Sequence, residues 1–319
     1  MRQASTEYIY YGHTNAVWTI CWSPDGRFIA SGGDDLVVRV WNAKNGEEYA
    51  LIREPISNVE TVCWSPDSSC LAIGYASGII QLWDVSMDSL LLRYRGHGDA
   101  VHSLSWSPDA HYLVSGGADH LAHVWERASG RLVLTYQGHD EPITVVAWSP
   151  DGKLIASGSY DRTVQIWEPL TGRLVTRYEG HLDSGGVLAL AWSPDSQSLV
   201  SSAYGDGQLS VWTAEHAEQL CTYQGHVGHV RAVAWSPHAS LIASGGDDTT
   251  VQVWDAIGCR KRSIYTGAIP GEKYWEADRN RYAVYAVAWS PAGKRIASGG
   301  WSLTPEKHEG IVHVWVVEA

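Results

Sequence analysis

Residues 139–167 read HDEPITVVAWSPDGKLIASGSYDRTVQIW, and this stretch decides the fold. Apolar residues lead to Trp148, and a Pro150-Asp151-Gly152 turn follows. A second short run, Leu154-Ile155-Ala156-Ser157, passes through a turn at Asp161 into Val164-Gln165-Ile166-Trp167. Short β-rich runs separated by Gly, Pro and Asp punctuation read as strands joined by tight turns. Just upstream, Leu132-Val133-Leu134-Thr135-Tyr136 forms another such run before Gly138-His139. Each period therefore predicts four antiparallel strands, with no room for a crossover helix.

The pattern recurs along the chain. Trp-Ser-Pro begins at Trp22, Trp64, Trp106, Trp148, Trp192, Trp235 and Trp289, at intervals of 42, 42, 42, 44, 43 and 54 residues. A second column stands at Trp41, Trp83, Trp125, Trp167, Trp212, Trp254 and Trp315. The third strand is apolar on both sides, so both faces of each sheet need cover, which radial packing of blades supplies. The expectation is one all-β domain over residues 1–319, a seven-bladed β-propeller of four-stranded antiparallel blades. Only the third strand of the last blade is complete by Trp315, and residues 7–13 resemble a fourth strand. The N-terminal strand should therefore pair with residues 311–316 and close the ring, removing an exposed edge.

Repeated Gly-His, Trp-Ser-Pro, Ala-Ser-Gly and Asp-x-x-Val-x-Val/Ile-Trp signals make the chain resemble the WD40 family, including bacterial WD40 proteins and the sensor regions of larger signalling ATPases or kinases. The resemblance implies a hydrogen-bonded tetrad in each of five blades. These are His13, Ser31, Asp35 and Trp41; His97, Ser115, Asp119 and Trp125; His139, Ser157, Asp161 and Trp167; His181, Ser201, Asp206 and Trp212; and His226, Ser244, Asp248 and Trp254. Elementary chemistry agrees, because polar groups recurring between apolar strands are costly to bury unpaired. The second blade has Pro55, Ile73 and Ser77 at three of these places, and the seventh has Ala268 and Glu309 at two. Those blades are expected to lean on packing and on their neighbours.

Composition narrows the function. Lys and Arg total 23 against 35 Asp and Glu, a formal charge of -12, which repels phosphate backbones and argues against nucleic acid. No apolar run is long enough to span a bilayer, so no membrane partner is expected. Cys21, Cys63, Cys70, Cys221 and Cys259 include no CxxC pair, which predicts neither a disulfide framework nor a zinc site and fits a cytoplasmic setting. His, Ser and Asp in five equivalent copies point to structure rather than to five hydrolase centres, so no catalytic residue, metal or cofactor is expected. The adjacent acids Asp34-Asp35 and Asp247-Asp248 lack further identifiable oxygen ligands for calcium. Ala-Ser-Gly-Gly is read as tight-turn chemistry, not as a phosphate loop.

What the repeat does not absorb marks a surface. Trp18 sits at the entrance to an inner strand, and its counterparts are Glu60, His102, Thr144, Leu188, Arg231 and Tyr285. Together with residues flanking the turns, the richest mixture falls on blades six, seven and one: Trp18, Asp34, His229, Arg231, Asp247, Tyr285 and His308. Insertions at 266–282 and 301–308 add Trp275 and Trp301 on the same side; they either recognise a partner or plug and repair the last blade. Aromatic and Arg anchors beside acids have the composition of an interaction patch. The expected function is a noncatalytic scaffold or recognition module, monomeric by itself, binding an unidentified protein or peptide. A small-ligand receptor or enzyme using the central channel, and a purely architectural unit, remain the alternatives.

Overall fold

The computed structural model describes residues 6–53, 56–181, 185–205, 207–266, 283–304 and 307–317. Its strands arrange as seven four-stranded antiparallel sheets. β1 (Thr6–His13) precedes blade 1, which holds β2 (Val17–Trp22), β3 (Phe28–Gly33), β4 (Val38–Asn42) and β5 (Glu48–Ile52) in that spatial order. Blades 2 to 6 repeat this plan over residues 59–95, 101–136, 143–178, 187–224 and 230–265. Blade 7 takes Val284–Trp289, Arg295–Thr304 and Lys307–Val316, and β1 completes it, with Tyr11 opposite Ile311 and Thr6 opposite Trp315. The N-terminal strand thus closes the ring beside the residues expected of it. No helix among the described residues is long and apolar enough to cross a membrane.

The Trp-Ser-Pro motif locks the first turn in six of the blades through its serine hydroxyl. The Ser23 hydroxyl accepts the Phe28 N–H at 2.9 Å and donates to Asp25 at 2.6 Å, while Gly26 takes φ +72°. Ser65, Ser107, Ser149, Ser193 and Ser290 accept the N–H five residues on in the same way. Such local bonds make Ser, Asp and Gly the turn residues of choice. Several motif tryptophans then reach back to the preceding blade: Trp106, Trp192 and Trp289 donate to the Cys63, Ala147 and Ala234 carbonyls at 3.1, 3.0 and 3.1 Å.

The second tryptophan column joins blades as well. In blades 3, 4 and 5 the tyrosine at the end of the fourth strand stacks on the third-strand tryptophan of the next blade. Tyr136 on Trp167, Tyr178 on Trp212 and Tyr223 on Trp254 lie 4.4, 4.4 and 4.6 Å apart and within 3° of parallel. Tyr10 of β1 stacks on Trp41 at 5.2 Å, so the closing strand makes the same contact across the seam. Aromatic pairs of this kind add about 0.5–1.5 kcal/mol to the stabilisation from their buried area.

Two expectations need correction. Ala-Ser-Gly-Gly does not form a turn: Gly32 and Gly33 end β3. A Cβ on Gly32 would meet Val59 Cγ1 of the next blade at 2.5 Å, and one on Gly33 would meet the Ala16 carbonyl oxygen at 1.8 Å. The glycines permit close approach between backbones and blades. The second correction concerns cysteine. Cys221 and Cys259 form a disulfide between the fourth strand of blade 5 and the last turn of blade 6. Radial stacking brings together two residues 38 apart in sequence, which no spacing motif announces. Cys21, Cys63 and Cys70 are free. The cysteines thus give no support to the expected reducing compartment.

Candidate functional site

The recurring polar groups settle into the tetrads. In blade 4, His139 Nδ1 lies 2.7 Å from Asp161, its Nε2 is 2.8 Å from Ser157 Oγ, and Trp167 Nε1 donates to that hydroxyl at 3.1 Å. Blade 6 repeats this with His226, Asp248, Ser244 and Trp254 at 2.9, 2.7 and 3.1 Å. In blade 3, His97 lies 3.0 Å from Asp119 and 2.7 Å from Ser115, which accepts the Trp125 N–H at 2.8 Å. Blade 1 places His13 2.8 Å from both Asp35 and Ser31, with Trp41 fully buried. Blade 5 joins His181 to Ser201 at 2.7 Å and Trp212 to Ser201 at 3.0 Å; Asp206 lies outside the described residues.

These sets are closed. Ser31, Ser115, Ser157, Ser201 and Ser244 are each 0 % exposed, and no substrate carbonyl could approach such a hydroxyl. Burial works to raise the Asp161 carboxyl, but the His139 and Thr163 hydrogen bonds outweigh it and hold it down to about 2. Donors from His97, Asp119 and His123 come within 4.8 Å of one another, but both His97 nitrogens already serve Asp119 and Ser115. Burial, reinforced by His97, pushes the His123 imidazole down to about 4 and keeps it neutral.

Blade 2 replaces the tetrad instead of merely packing without it. Ile73 stands in the serine place, and Gln81 Oε1 accepts both the Trp83 N–H and the Tyr75 O–H at 2.9 Å. Pro55 lies outside the described residues. Blade 7 retains the bond from Trp315 to Ser298 at 2.9 Å, with His313 stacked on Trp315 at 5.1 Å. Ala268 and the Glu309 side chain lie outside the described residues.

A different feature builds the open end. In every blade the first pairing slips by one residue near the start of the inner strand, between Val17 and Thr19 in blade 1 and between Val284 and Ala286 in blade 7. The residues at the slips are Trp18, Glu60, His102, Thr144, Leu188, Arg231 and Tyr285. A β-bulge re-aims its side chain out of the ladder, so the seven form a ring that the repeat does not constrain in type.

Part of the sequence-derived patch assembles on that ring. Trp18 and Tyr285 meet with centroids 4.3 Å apart, tilted by 51°. The Arg231 guanidinium lies 5.3 Å over the other side of the cluster, on Tyr285, and pairs with Asp247, one contact being 3.3 Å. Burial raises the Tyr285 hydroxyl, with Arg231 opposing and Asp247 and Asp34 adding to the rise. Asn58 donates to Asp34 at 2.7 Å. Glu60 belongs here too, although sequence reasoning placed it only in the ring and not in the patch: burial raises its carboxyl and Asp34 raises it further. An acidic residue at a bulge beside Trp18 was the available signal.

Other predicted members separate from this cluster. His229 turns toward blade 5, where its ring lies 3.7 Å from Tyr204 and accepts the Gly205 N–H at 3.1 Å. Trp301 lines a small cavity inside blade 7 with Ser298, Ile311 and His313. Trp275 and the His308 side chain lie outside the described residues.

Comparison with known proteins places this geometry. A family model described as WDR19 first beta-propeller matches residues 18–179, half of the chain, and one described as WD domain, G-beta repeat matches 172–213, 217–255 and 276–315. The chain is 29% identical over 110 residues to anaphase-promoting complex subunit cdh1 of Dictyostelium discoideum, covering 34% of this chain and 12% of that protein. It is 30% identical over 132 residues to the intraflagellar transport protein 80 homolog of Rattus norvegicus, covering 38% and 15%. With FIZZY-RELATED 3 of Arabidopsis thaliana it shares 35% identity over 98 residues, covering 30% and 20%. The matched region is thus a small part of each relative. All three relatives are eukaryotic, so they lend no support to the expected bacterial likeness or to a sensor domain.

Proposed function

Since the chain belongs to the WD-repeat β-propeller family, we propose that it is a noncatalytic recognition module, one propeller over residues 1–319, that binds a protein or peptide on the ring of bulged residues. The observation that carries this reading is the separation of roles between two sets of polar and aromatic residues. Tetrad groups are buried and satisfied within their blades, whereas the bulge positions vary freely in type and gather Trp18, Tyr285 and Arg231 at one sector. Aromatic and Arg side chains are the residues that most often anchor interfaces. The names of two relatives, an anaphase-promoting complex subunit and an intraflagellar transport protein, fit a role in assembly.

The test is capture of partners from native extract by the intact chain, with Trp18→Ala, Arg231→Ala and Trp275→Ala compared separately. Loss of a partner in the first two, with unfolding unchanged, supports the reading. Capture that survives all three substitutions moves the site off this sector and favours an architectural role.

A further inference from the structure

Blade 3 departs from the other tetrad blades at the third-strand residue opposite the tetrad serine. Blades 1, 4, 5 and 6 place Arg39, Gln165, Ser210 and Gln252 there, whereas blade 3 places His123 opposite Ser115. Gln165 is committed at both ends: its amide nitrogen donates to the Gly138 carbonyl at 2.8 Å, and its oxygen accepts the Tyr136 hydroxyl. Gln252 makes the same two bonds with Gly225 and Tyr223. His123 inherits neither. The Gly96 carbonyl, in the place of Gly138, polarises its ring, but His123 Nε2 forms no hydrogen bond among the described residues. The hydroxyl of Tyr94, in the place of Tyr136, forms none either. His123 is 3 % exposed, so this nitrogen is cut off from bulk water. His123 thus breaks the equivalence of the five copies on which the expectation of no metal rested.

The unpartnered nitrogen belongs to a cluster. The His97 and His123 rings lie 4.4 Å apart, and donor atoms of His97, Asp119 and His123 fall within 4.8 Å of one another. His97 Nδ1 is 3.0 Å from both Asp119 oxygens, close to the separation of about 3.3 Å between two ligands of a tetrahedral ion with bonds of about 2.0–2.1 Å. The other nitrogen of each ring is held by a hydroxyl, His97 Nε2 by Ser115 at 2.7 Å and His123 Nδ1 by Thr135 at 3.0 Å. Fixing the outer nitrogen in this way is how ligating histidines are aimed. The Asp119 side chain is 12 % exposed and connects the cluster to solvent.

We propose that His97 Nδ1, Asp119 and His123 Nε2 form a binding site for a divalent transition-metal ion of the zinc class, with water completing its shell. Two imidazoles and one carboxylate suit such an ion, whereas Ca2+ and Mg2+ take oxygen ligands. Coordination uses the second neutral tautomer of His97, with no proton gained or lost overall. The ring proton stands on Nε2 and donates to Ser115, which still accepts the Trp125 N–H, and Nδ1 gives its lone pair to the ion. The ion replaces one hydrogen bond between His97 and Asp119 and supplies His123 with a partner. It cross-links the entry, the turn and the third strand of blade 3, apart from the ring of bulged residues and independently of any partner bound there.

Calorimetric titration of ZnCl2 into the intact, chelator-stripped chain tests this, with thermal unfolding in parallel. The expected result is one equivalent bound with a micromolar or tighter Kd, and a Tm raised by about 4 °C at a hundredfold excess of Zn2+ over Kd. His123→Gln, which installs the residue type of blade 4, should weaken binding at least about tenfold while the metal-free chain stays folded. Asp119→Asn, which keeps the shape of the tetrad, should do the same. The two variants remove different ligands, so either decides the outcome if the other fails to fold. His216→Asn, at an exposed histidine, should leave binding unchanged. No binding at micromolar Zn2+, or binding that both ligand variants leave untouched, overturns the proposal. Binding lost with His216→Asn assigns the ion to a surface histidine and overturns it as well.

Discussion

Blades 4 and 2 have the same four strands and the same third-strand tryptophan, yet they satisfy that tryptophan by different chemistry. In blade 4, Trp167 donates to Ser157, which belongs to a chain running through His139 to Asp161. In blade 2, Trp83 donates to Gln81, two residues away on its own strand, and Ile73 fills the serine place. What the propeller requires is a buried indole with an accepted N–H and a covered ring. The tetrad is one solution to that requirement, not the requirement itself.

The largest effect should come from removing the indoles. Trp167→Ala should cost about 3–5 kcal/mol, because the ring is fully buried and stacked on Tyr136. Trp83→Ala should cost less, since Ile52 stands at the place of the stacking tyrosine and Trp83 is 9 % exposed. Urea midpoints of the two variants measure the difference, and equal losses would break the comparison.

Next come the acceptors. Gln81→Leu strips the partner from both Trp83 and Tyr75 and should cost about 1–3 kcal/mol. Ile73→Ser, which restores the serine without its histidine, should destabilise and not rescue. A stabilised Ile73→Ser protein by calorimetry would show that blade 2 is a damaged tetrad instead of a second solution.

Acid should separate the blades further. The Asp161 carboxyl lies lower in the folded chain than in the unfolded one, so its contribution is present above about pH 4 and is lost as pH falls through 2. Asp161→Asn should flatten that limb of the stability profile, and Gln81→Leu in blade 2, which removes no carboxylate, should not. His123 adds an earlier slope: its folded value of about 4 lies below the ordinary imidazole range, so stability declines as pH falls from about 6.5 toward 4. His123→Gln, which installs the residue type that blade 4 carries as Gln165, should remove that slope in denaturation midpoints taken across this range. The smallest stability change is expected at the ring, where Trp18→Ala should cost under about 1 kcal/mol because Trp18 is only half-buried.

Strict spacing makes much of this legible in the sequence. Two tryptophan columns counted the blades, and the resemblance of residues 7–13 to a fourth strand located the closure. Contacts between neighbouring blades were less accessible, because their partners sit in different repeats. The Tyr136 stack on Trp167 and the Cys221–Cys259 bond depend on radial packing, which no local pattern encodes. Gln81 was hidden for a related reason: its place on the strand is obvious, but its role depends on Tyr75 and Trp83 converging on one oxygen. The site was partly readable. Position alone put Trp18, Arg231 and Tyr285 in one ring, and the bulges explain why. Side-chain direction then parted His229 and Trp301 from them, and the Asn58 bond tied Asp34 to the blade that carries Glu60.

The division between residues that build the propeller and residues that face a partner has one direct test: stability and partner capture measured together on Trp18→Ala and His139→Ala. The account predicts that Trp18→Ala keeps the unfolding midpoint and loses the partner. His139→Ala should lower the midpoint by the equivalent of about 1–3 kcal/mol and, while folded, still capture the partner. The reverse pattern, with capture lost on removal of the buried blade 4 histidine and kept without Trp18, would contradict it.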